Sequence, residues 1–232
     1  MTEADHAPIR EAGGLVRIVA ILVHMSPWFW ISAVFAAQAL GASILALCFK
    51  VDTGALRLPI AILAFGALSA AFMGWRDRRK TMTRSLCWLP LLLYAGFIFS
   101  LSSLSFHGAE ISFKADYFHL VEFCTLGLFL CFFWEPMLRR RNGFFFYACV
   151  VVSGLLYGVA DEFHQFYVPG RDADVWDVLY DAVGLSIGCG IYLLGRSIHG
   201  RLSRRIGPPG GGDRTRATDS VGEVPPPAAI KT

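Results

Sequence analysis

Long apolar runs separated by short polar connections dominate this chain. Windows of roughly 20 mostly apolar residues, the length that crosses a bilayer core of about 30 Å, occur at 28–49, 56–75, 86–105, 117–135, 143–163 and 175–195. Such windows form helices, because backbone polar groups in lipid must be satisfied within the segment. The pattern predicts an all-α fold, a polytopic transmembrane helix bundle of about six spans.

Basic residues are concentrated in every second connection. They follow the second, fourth and sixth windows: Arg76, Arg78, Arg79, Lys80 and Arg84, then Arg139, Arg140 and Arg141, then Arg196, Arg201, Arg204 and Arg205. Short connections rich in Lys and Arg stay in the cytoplasm. We therefore expect both termini to be cytoplasmic and the connections 50–55, 106–116 and 164–174 to lie outside.

Composition supports a multi-pass membrane protein, with the lipid bilayer as its main partner. Hydrophobic residues make up 55% of the chain and the formal net charge is +3, which does not fit a nucleic-acid-binding surface. Six cysteines, at 48, 87, 124, 131, 149 and 189, all fall in apolar windows without Cys-x-x-Cys spacing. We expect them to act as small apolar residues and not as a disulfide framework.

The chain divides into four predicted segments. Residues 1–27 form a cytoplasmic or interfacial segment that lacks the basic start of a signal peptide. Residues 28–85 form an N-terminal transmembrane pair and residues 86–198 the main transmembrane domain. Residues 199–232 are rich in Pro, Gly and charge, which predicts a disordered cytoplasmic tail.

Ionisable residues are concentrated in the last three windows. They are Asp116, His119 and Glu122 at the start of the fourth, Asp161, Glu162, His164 and Gln165 at the end of the fifth, and Asp174, Asp177 and Asp181 around the start of the sixth. The predicted orientation brings all three groups to the outer face. Each ionisable group in hydrocarbon costs about 2.5 to 3.5 kcal/mol, so such a concentration predicts a functional site.

Spacing and turn chemistry refine this prediction. Asp174, Asp177 and Asp181 share one helical stripe that Gly184 and Gly188 continue, so we expect the stripe to face a closely packed neighbouring helix. Between the fifth and sixth windows, Val168-Pro169-Gly170-Arg171 predicts a tight turn. This turn would return Arg171 over the helix ends, as a counter-charge for a carboxylate or as a clamp for a ligand's phosphate or carboxylate.

The stretch from Tyr157 to Gly188 resembles the signature of the VanZ-like family, with Asp161-Glu162-x-x-Gln165, the Pro-Gly-Arg turn and the Asp and Gly residues that follow. Upstream, a similar motif is formed by Ser102-Ser103, then Asp116, His119, Glu122, Leu126 and Gly127. The chain departs from the family in lacking the Lys that usually accompanies the acidic residue of this first motif, and it has Phe123 where Tyr is frequent. The resemblance covers about residues 95–195.

The resemblance implies an integral, multi-pass protein of the bacterial cytoplasmic membrane and cell envelope, with four or more spans. The best-known member of the family is associated with resistance to a glycopeptide antibiotic. No biochemical activity follows from the family name alone.

Three hypotheses remain open. In the first, the protein is a hydrolase or transferase acting on a lipid-linked envelope precursor, with Asp161, Glu162, His164 and Asp177 catalytic and with Asp116, His119, Glu122, Gln165, Arg171 and Asp181 binding substrate. These side chains would act as general acids and bases or as ligands of a divalent cation of unknown identity. In the second, the same residues form a proton-linked or cation-linked binding or transport pocket. In the third, Arg171 and the carboxylates only tie helices together, and Asp174 and Asp177 are helix caps.

Overall fold

The computed structural model describes residues 25–48, 54–76, 86–104, 116–138, 141–171 and 173–206, without the side chains of residues 116, 117, 205 and 206. This part of the chain forms six helices: α1 (Pro27–Cys48), α2 (Arg57–Arg76), α3 (Trp88–Ser102), α4 (Asp116–Leu138), α5 (Gly143–Gln165) and α6 (Val175–Ile206). The described residues contain no β-strand. The predicted all-α transmembrane bundle is confirmed, and each apolar window corresponds to one helix.

Five of the helices are long and apolar enough to cross a membrane, and α3 is shorter. The window 86–105 predicted a full span, whereas α3 has 15 residues and is therefore about 22 Å long. The helix ends at a serine pair, where the N–H groups of Ser103 and Leu104 bond back to the carbonyl oxygens of Phe99 and Leu101. The cytoplasmic location of both termini stays a prediction.

Helix α6 extends well past the window that predicted it. It continues to Ile206, so the prediction that the disordered tail begins at residue 199 is wrong for residues 199–206. Arg and Leu are good helix formers, and Arg204 Nε donates to the carbonyl oxygen of Gly200 at 3.1 Å within this last part. Residues 207–232 and the N-terminal segment 1–24 lie outside the described part.

The chain forms two compact units. One, Ser26–Arg196, contains α1 to α5 and the part of α6 that carries the acidic stripe. Of the described residues, Met25 and the part of α6 from Ser197 onward belong to the other unit. All residues of the predicted site belong to the first unit.

Aromatic rings form the centre of the first unit. Phe35 of α1 stacks on Phe129 of α4 with ring centroids 4.9 Å apart, and Tyr94 of α3 meets Phe129 edge-on at 5.1 Å. All three side chains are almost completely buried. Leu47, Leu68 and Leu156, by contrast, are each more than 60% exposed, as expected for helix surfaces that face lipid.

Glycines bring α6 into close contact with α4. A Cβ atom at Gly188 would lie 2.1 Å from the carbonyl oxygen of Cys124, and one at Gly184 would lie 2.6 Å from that of Leu120. The prediction that Gly184 and Gly188 allow a neighbouring helix to approach is confirmed. This close packing brings the acidic stripe of α6 to the beginning of α4, where His119 is located.

Candidate functional site

A histidine on α4 meets two carboxylates of α6. His119 is 7% exposed, and its Nδ1 atom lies 3.2 Å from Asp181 Oδ1 in a hydrogen bond. Its other ring nitrogen, Nε2, lies 3.8 Å from Asp177 Oδ2. Because a carboxylate accepts the bond at Nδ1, the proton of neutral His119 belongs on that nitrogen, and the lone pair of Nε2 faces the side of Asp177.

Two adjacent carboxylates near the end of α5 are held by neutral donors. Ser102 Oγ donates to Asp161 Oδ1 at 2.6 Å, and Gln165 Nε2 donates to Asp161 Oδ2 at 3.0 Å. The backbone N–H of Asp174 donates to Glu162 Oε2 at 3.0 Å. Asp161 and Glu162 are 4% and 7% exposed, so α3, α5 and the start of α6 fix both carboxylates in a buried position.

The α4–α6 pair and the α5 carboxylates form one constellation. His119, Asp161 and Glu162 each offer a nitrogen or oxygen atom, and these three atoms lie within 4.8 Å of one another. Glu122, partly buried one turn beyond His119, interacts electrostatically with His119, Asp161 and Arg171. Side chains from three helices therefore converge at one end of the bundle.

His164, near the end of α5, contacts the end of α3. Its Nε2 atom is 3.0 Å from Ser103 Oγ, and its ring centroid is 4.4 Å from that of Phe99. Ser103 is exposed and His164 is half-buried. The pair thus places an imidazole against a hydroxyl that is next in sequence to Ser102, whose own hydroxyl holds Asp161.

Arg171 follows the predicted turn and caps α3. Gly170 adopts φ 80°, and the N–H of Arg171 bonds to the carbonyl oxygen of Val168 at 3.1 Å. Its guanidinium donates from Nε to Leu104 O and from Nη2 to Leu101 O, both at 3.1 Å. A cation at a helix C-terminus satisfies free carbonyl groups and complements the helix dipole. Arg171 therefore stabilises the end of α3 that supplies Ser102 and Ser103.

Sequence comparison identifies the region that contains this constellation. A family model described as VanZ/LLP1 matches residues 58–196, more than half of the chain. The chain belongs to the VanZ/LLP1 family. The matched region begins at the start of α2, upstream of the motif-bearing stretch. No curated protein and no solved structure matches the chain.

In this VanZ/LLP1 protein the remaining predicted site residues, Asp174, Gln165 and Asp116, each have a different place. Asp174 is exposed, and its Oδ1 accepts the N–H of Trp176 at 2.9 Å, which is the geometry of a helix cap. Gln165 supports Asp161 from within α5. Asp116 begins α4, but its side chain lies outside the described part.

Sequence reasoning assigned no role to three further polar side chains, those of Ser102, Ser103 and Gln38. Ser102 and Ser103 were visible only as a pair in the family-like motif, yet their hydroxyl groups contact Asp161 and His164. Gln38 of α1 accepts from Tyr94 at 2.8 Å and donates to Thr125 at 2.5 Å. A single Gln in an apolar window gave no signal, because its partners on α3 and α4 are distant in sequence.

Proposed function

We propose that this VanZ/LLP1 protein is an outward-facing membrane hydrolase or transferase that acts on the phosphoryl group of a lipid-linked envelope precursor. The observation that carries the proposal is the convergence of His119, Asp161 and Glu162, each less than 10% exposed, to within 4.8 Å. Burying ionisable groups together has a cost that helix packing alone does not require.

The depth of the site supports a lipid-linked substrate. Exposed aromatic side chains surround the turn between α5 and α6, with Tyr167 67% and Trp176 66% exposed. Tyr and Trp prefer the headgroup level of a bilayer. Substrate phosphate at this level would meet the constellation while its lipid chain stays in the hydrocarbon region.

The chemistry we assign follows from the positions of the side chains. Asp161 or Glu162 accepts a proton from the attacking water or alcohol as its oxygen bonds to phosphorus, and the bond from phosphorus to the leaving oxygen breaks. His164, half-buried beside Ser103, protonates that leaving oxygen. Arg171 supplies a permanent positive charge at the same end of the bundle, which favours a phosphorylated ligand.

The hydrogen bonds of Arg171 favour this function over a purely structural ion network. Its guanidinium donates to the carbonyl oxygens of Leu101 and Leu104, in and just after the last turn of α3. Asp161 and Glu162 receive their hydrogen bonds from a hydroxyl, an amide side chain and a backbone N–H. Carboxylates held by neutral donors keep their negative charge available for a ligand or a proton.

The test is hydrolysis of a polyprenyl diphosphate by the full chain in liposomes. Asp161→Asn and Glu162→Gln keep the shape of each side chain and remove its basicity, so phosphate release should fall by about 10²-fold or more. Glu135→Gln, at the opposite end of α4, is the matched control and should retain the rate. Equal rates in all four proteins would overturn the proposal.

A cellular test addresses the envelope role. If the substrate is a lipid-linked envelope precursor, cells producing Glu162→Gln should show the glycopeptide and envelope-stress sensitivity of cells that lack the protein. Membrane abundance of the variant must equal that of the unmodified chain. Sensitivity that only follows a loss of abundance would favour the structural reading.

A proton-linked transporter is the second candidate. Gln38, Tyr94 and Thr125 form a hydrogen-bonded chain one turn beyond Glu122, which extends polar groups from the site into the bundle. The stacked rings of Phe35 and Phe129 lie next to this chain and interrupt a polar path, so we rank this candidate lower. Proton flux into liposomes that Glu122→Gln abolishes would reverse the ranking.

A further inference from the structure

We propose that His119, Asp161 and Glu162 bind one divalent metal ion, with Asp177 as an additional ligand. The inference deepens the proposed function, on which it rests for its role in the reaction. With an ion bound, Asp161 and Glu162 would hold the ion, and the ion, in place of a free carboxylate base, would activate the attacking water or alcohol and polarise the phosphoryl group. Binding itself is measurable without any substrate.

The distances suit a common metal ion. Ligand atoms at about 2.0 to 2.2 Å from an ion lie roughly 3 to 4.4 Å from one another. The donor atoms of His119, Asp161 and Glu162 lie within 4.8 Å of one another, and His119 Nε2 lies 3.8 Å from Asp177 Oδ2. Side-chain movements of a few tenths of an ångström would bring the donor atoms of His119, Asp161 and Glu162 into coordination range, and Asp177 lies beside the Nε2 atom of His119.

The orientation of His119 matches that of a metal ligand. Metal-binding histidines usually donate their second N–H to a carboxylate or carbonyl group, which fixes the tautomer and the ring orientation. Asp181 Oδ1 holds His119 Nδ1 in this manner at 3.2 Å. The lone pair of Nε2 is thereby directed to the side where Asp177 lies.

The carboxylates of α5 are held in place and retain coordinating capacity. Glu162 accepts the N–H of Asp174 at Oε2 and a longer bond of 3.5 Å from Gln165 Nε2 at Oε1, and each of its oxygens keeps a second lone pair for an ion. Asp161 accepts one bond at each oxygen, from Ser102 and Gln165, and a carboxylate oxygen has a second lone pair.

An unpaired oxygen provides an independent indication of a missing positive charge. Asp181 is 1% exposed, and its Oδ2 atom has no hydrogen-bond partner among the described residues. This oxygen lies 2.5 Å from where a Cβ of Gly158 would be, one turn before Asp161 and Glu162 on α5. A buried carboxylate oxygen without a partner is costly, and a cation between His119 and the α5 carboxylates offsets that cost electrostatically.

The donor set selects the class of metal. Imidazole nitrogen suits Zn²⁺ and other transition ions, while carboxylate oxygen suits Mn²⁺, Mg²⁺ and Ca²⁺. The donor set combines one imidazole with the carboxylates of Asp161, Glu162 and Asp177. This mixed set suits Mn²⁺ or Zn²⁺ better than it suits Mg²⁺ or Ca²⁺, which prefer oxygen ligands alone.

The experiment is a Mn²⁺ titration of the purified full chain in detergent, followed by electron paramagnetic resonance of free and bound Mn²⁺. We expect one bound ion per chain, displaced by Zn²⁺ and not by an equal concentration of Mg²⁺. The bound signal should show coupling to an imidazole ¹⁴N nucleus. His119→Gln should remove that coupling and weaken binding at least tenfold, and Glu162→Gln should also weaken binding at least tenfold.

Two variants complete the test. Asp181→Asn should keep the one-to-one stoichiometry and weaken binding about 10-fold to 100-fold, because it disturbs the orientation of His119 and removes no ligand. Glu135→Gln should bind as the unmodified chain does. Each variant is compared by size-exclusion profile and helical circular dichroism, so that a misfolded protein is recognised.

The outcomes separate this inference from the proposed function. Absence of stoichiometric Mn²⁺ and Zn²⁺ binding by the folded, unmodified chain overturns the metal site, as does binding that both His119→Gln and Glu162→Gln leave unchanged. Polyprenyl diphosphate hydrolysis that persists in chelator, with no ion bound, would refute the metal and keep the enzyme. One bound ion without hydrolysis would keep the metal site and refute the proposed enzyme activity.

Discussion

Helices α4 and α6 contact each other through carboxylates at both ends, and the two contacts differ in kind. At one end, Glu135 pairs with Arg196 at 3.4 Å and accepts a hydrogen bond from Tyr192. At the other, about 24 Å away along α4, Asp177 and Asp181 surround His119 beside Asp161 and Glu162. The first contact joins opposite charges in one pair, whereas the second gathers several carboxylates around one imidazole.

Exposure distinguishes the two contacts further. The side chains of Glu135 and Arg196 are 30% and 46% exposed, so water screens the pair and its contribution to stability is small. Asp161, Glu162 and Asp181 are all less than 10% exposed. Residue type alone therefore does not mark a functional site. Burial of like charges together is the observation on which the proposed site rests, because such burial is costly and is concentrated at functional sites.

The largest effect we predict concerns the side of the membrane on which each contact lies. The distribution of arginines predicts that the Glu135 end lies in the cytoplasm and the His119 end outside. A reporter fused after residue 205 should be active only in the cytoplasm, and a tag inserted near Gly108 should be reachable only from outside. Labelling of both positions from one side would overturn the six-span orientation and the outward-facing site.

The next prediction tests whether close packing of α4 and α6 creates the difference between the two ends. In Gly188→Ala the new Cβ would lie 2.1 Å from the carbonyl oxygen of Cys124, so the helices must separate. We expect a loss of about 1 to 3 kcal/mol in stability and loss of Mn²⁺ binding. Thermal unfolding in detergent and the metal titration measure both effects.

Gly190→Ala is the matched control on the same helix. A Cβ at this position has nothing within 4 Å, and Ala is a better helix former than Gly by about 1 kcal/mol. Its thermal stability should be equal to or above that of the unmodified chain. If both alanine variants behave alike, close approach at Gly188 does not determine the site.

The sequence was sufficient to predict the helices and the end of the bundle at which polar residues gather. Apolar windows and turn residues are local signals, which is why the helix starts at 27, 57, 143 and 175 lie within two residues of the predicted windows. The side-chain partners were not predictable in the same way. Arg171 caps α3 across a separation of 67 residues from Leu104, and no local pattern encodes such a contact.

Helix ends were also harder to predict than helix positions. The two serines at the end of α3 do not lower the mean hydropathy of the window enough to end it. The helix nevertheless ends there, where the carbonyl oxygen of Leu101 accepts a hydrogen bond from Arg171. The end of α6 was predicted too early because Gly200 and the arginines lower hydrophobicity without preventing a helix. The hydropathy of a window indicates which residues are apolar enough for lipid, whereas the helix itself can continue into polar residues.

A third prediction concerns Arg171. Arg171→Gln removes two charge-assisted hydrogen bonds to the end of α3, so stability should fall by about 2 kcal/mol, and Arg171→Lys should recover part of that loss. If Arg171 instead served only to pair with Glu162, replacing both by apolar residues would restore stability. Thermal unfolding of the single and double variants distinguishes these readings.

The smallest effect is expected at the exposed pair. Arg196→Gln removes the contact with Glu135, but both side chains are solvated, so the loss should be about 0 to 1 kcal/mol. In a chain of this size that corresponds to a fall in melting temperature of roughly 4 °C or less, and added salt should reduce it because screening already weakens the pair. A fall in melting temperature as large as that of Arg171→Gln would contradict the contrast between the two ends of α4 and α6. Glu135 would then behave as a buried partner, and Glu135→Gln would no longer be a suitable control for Glu162→Gln.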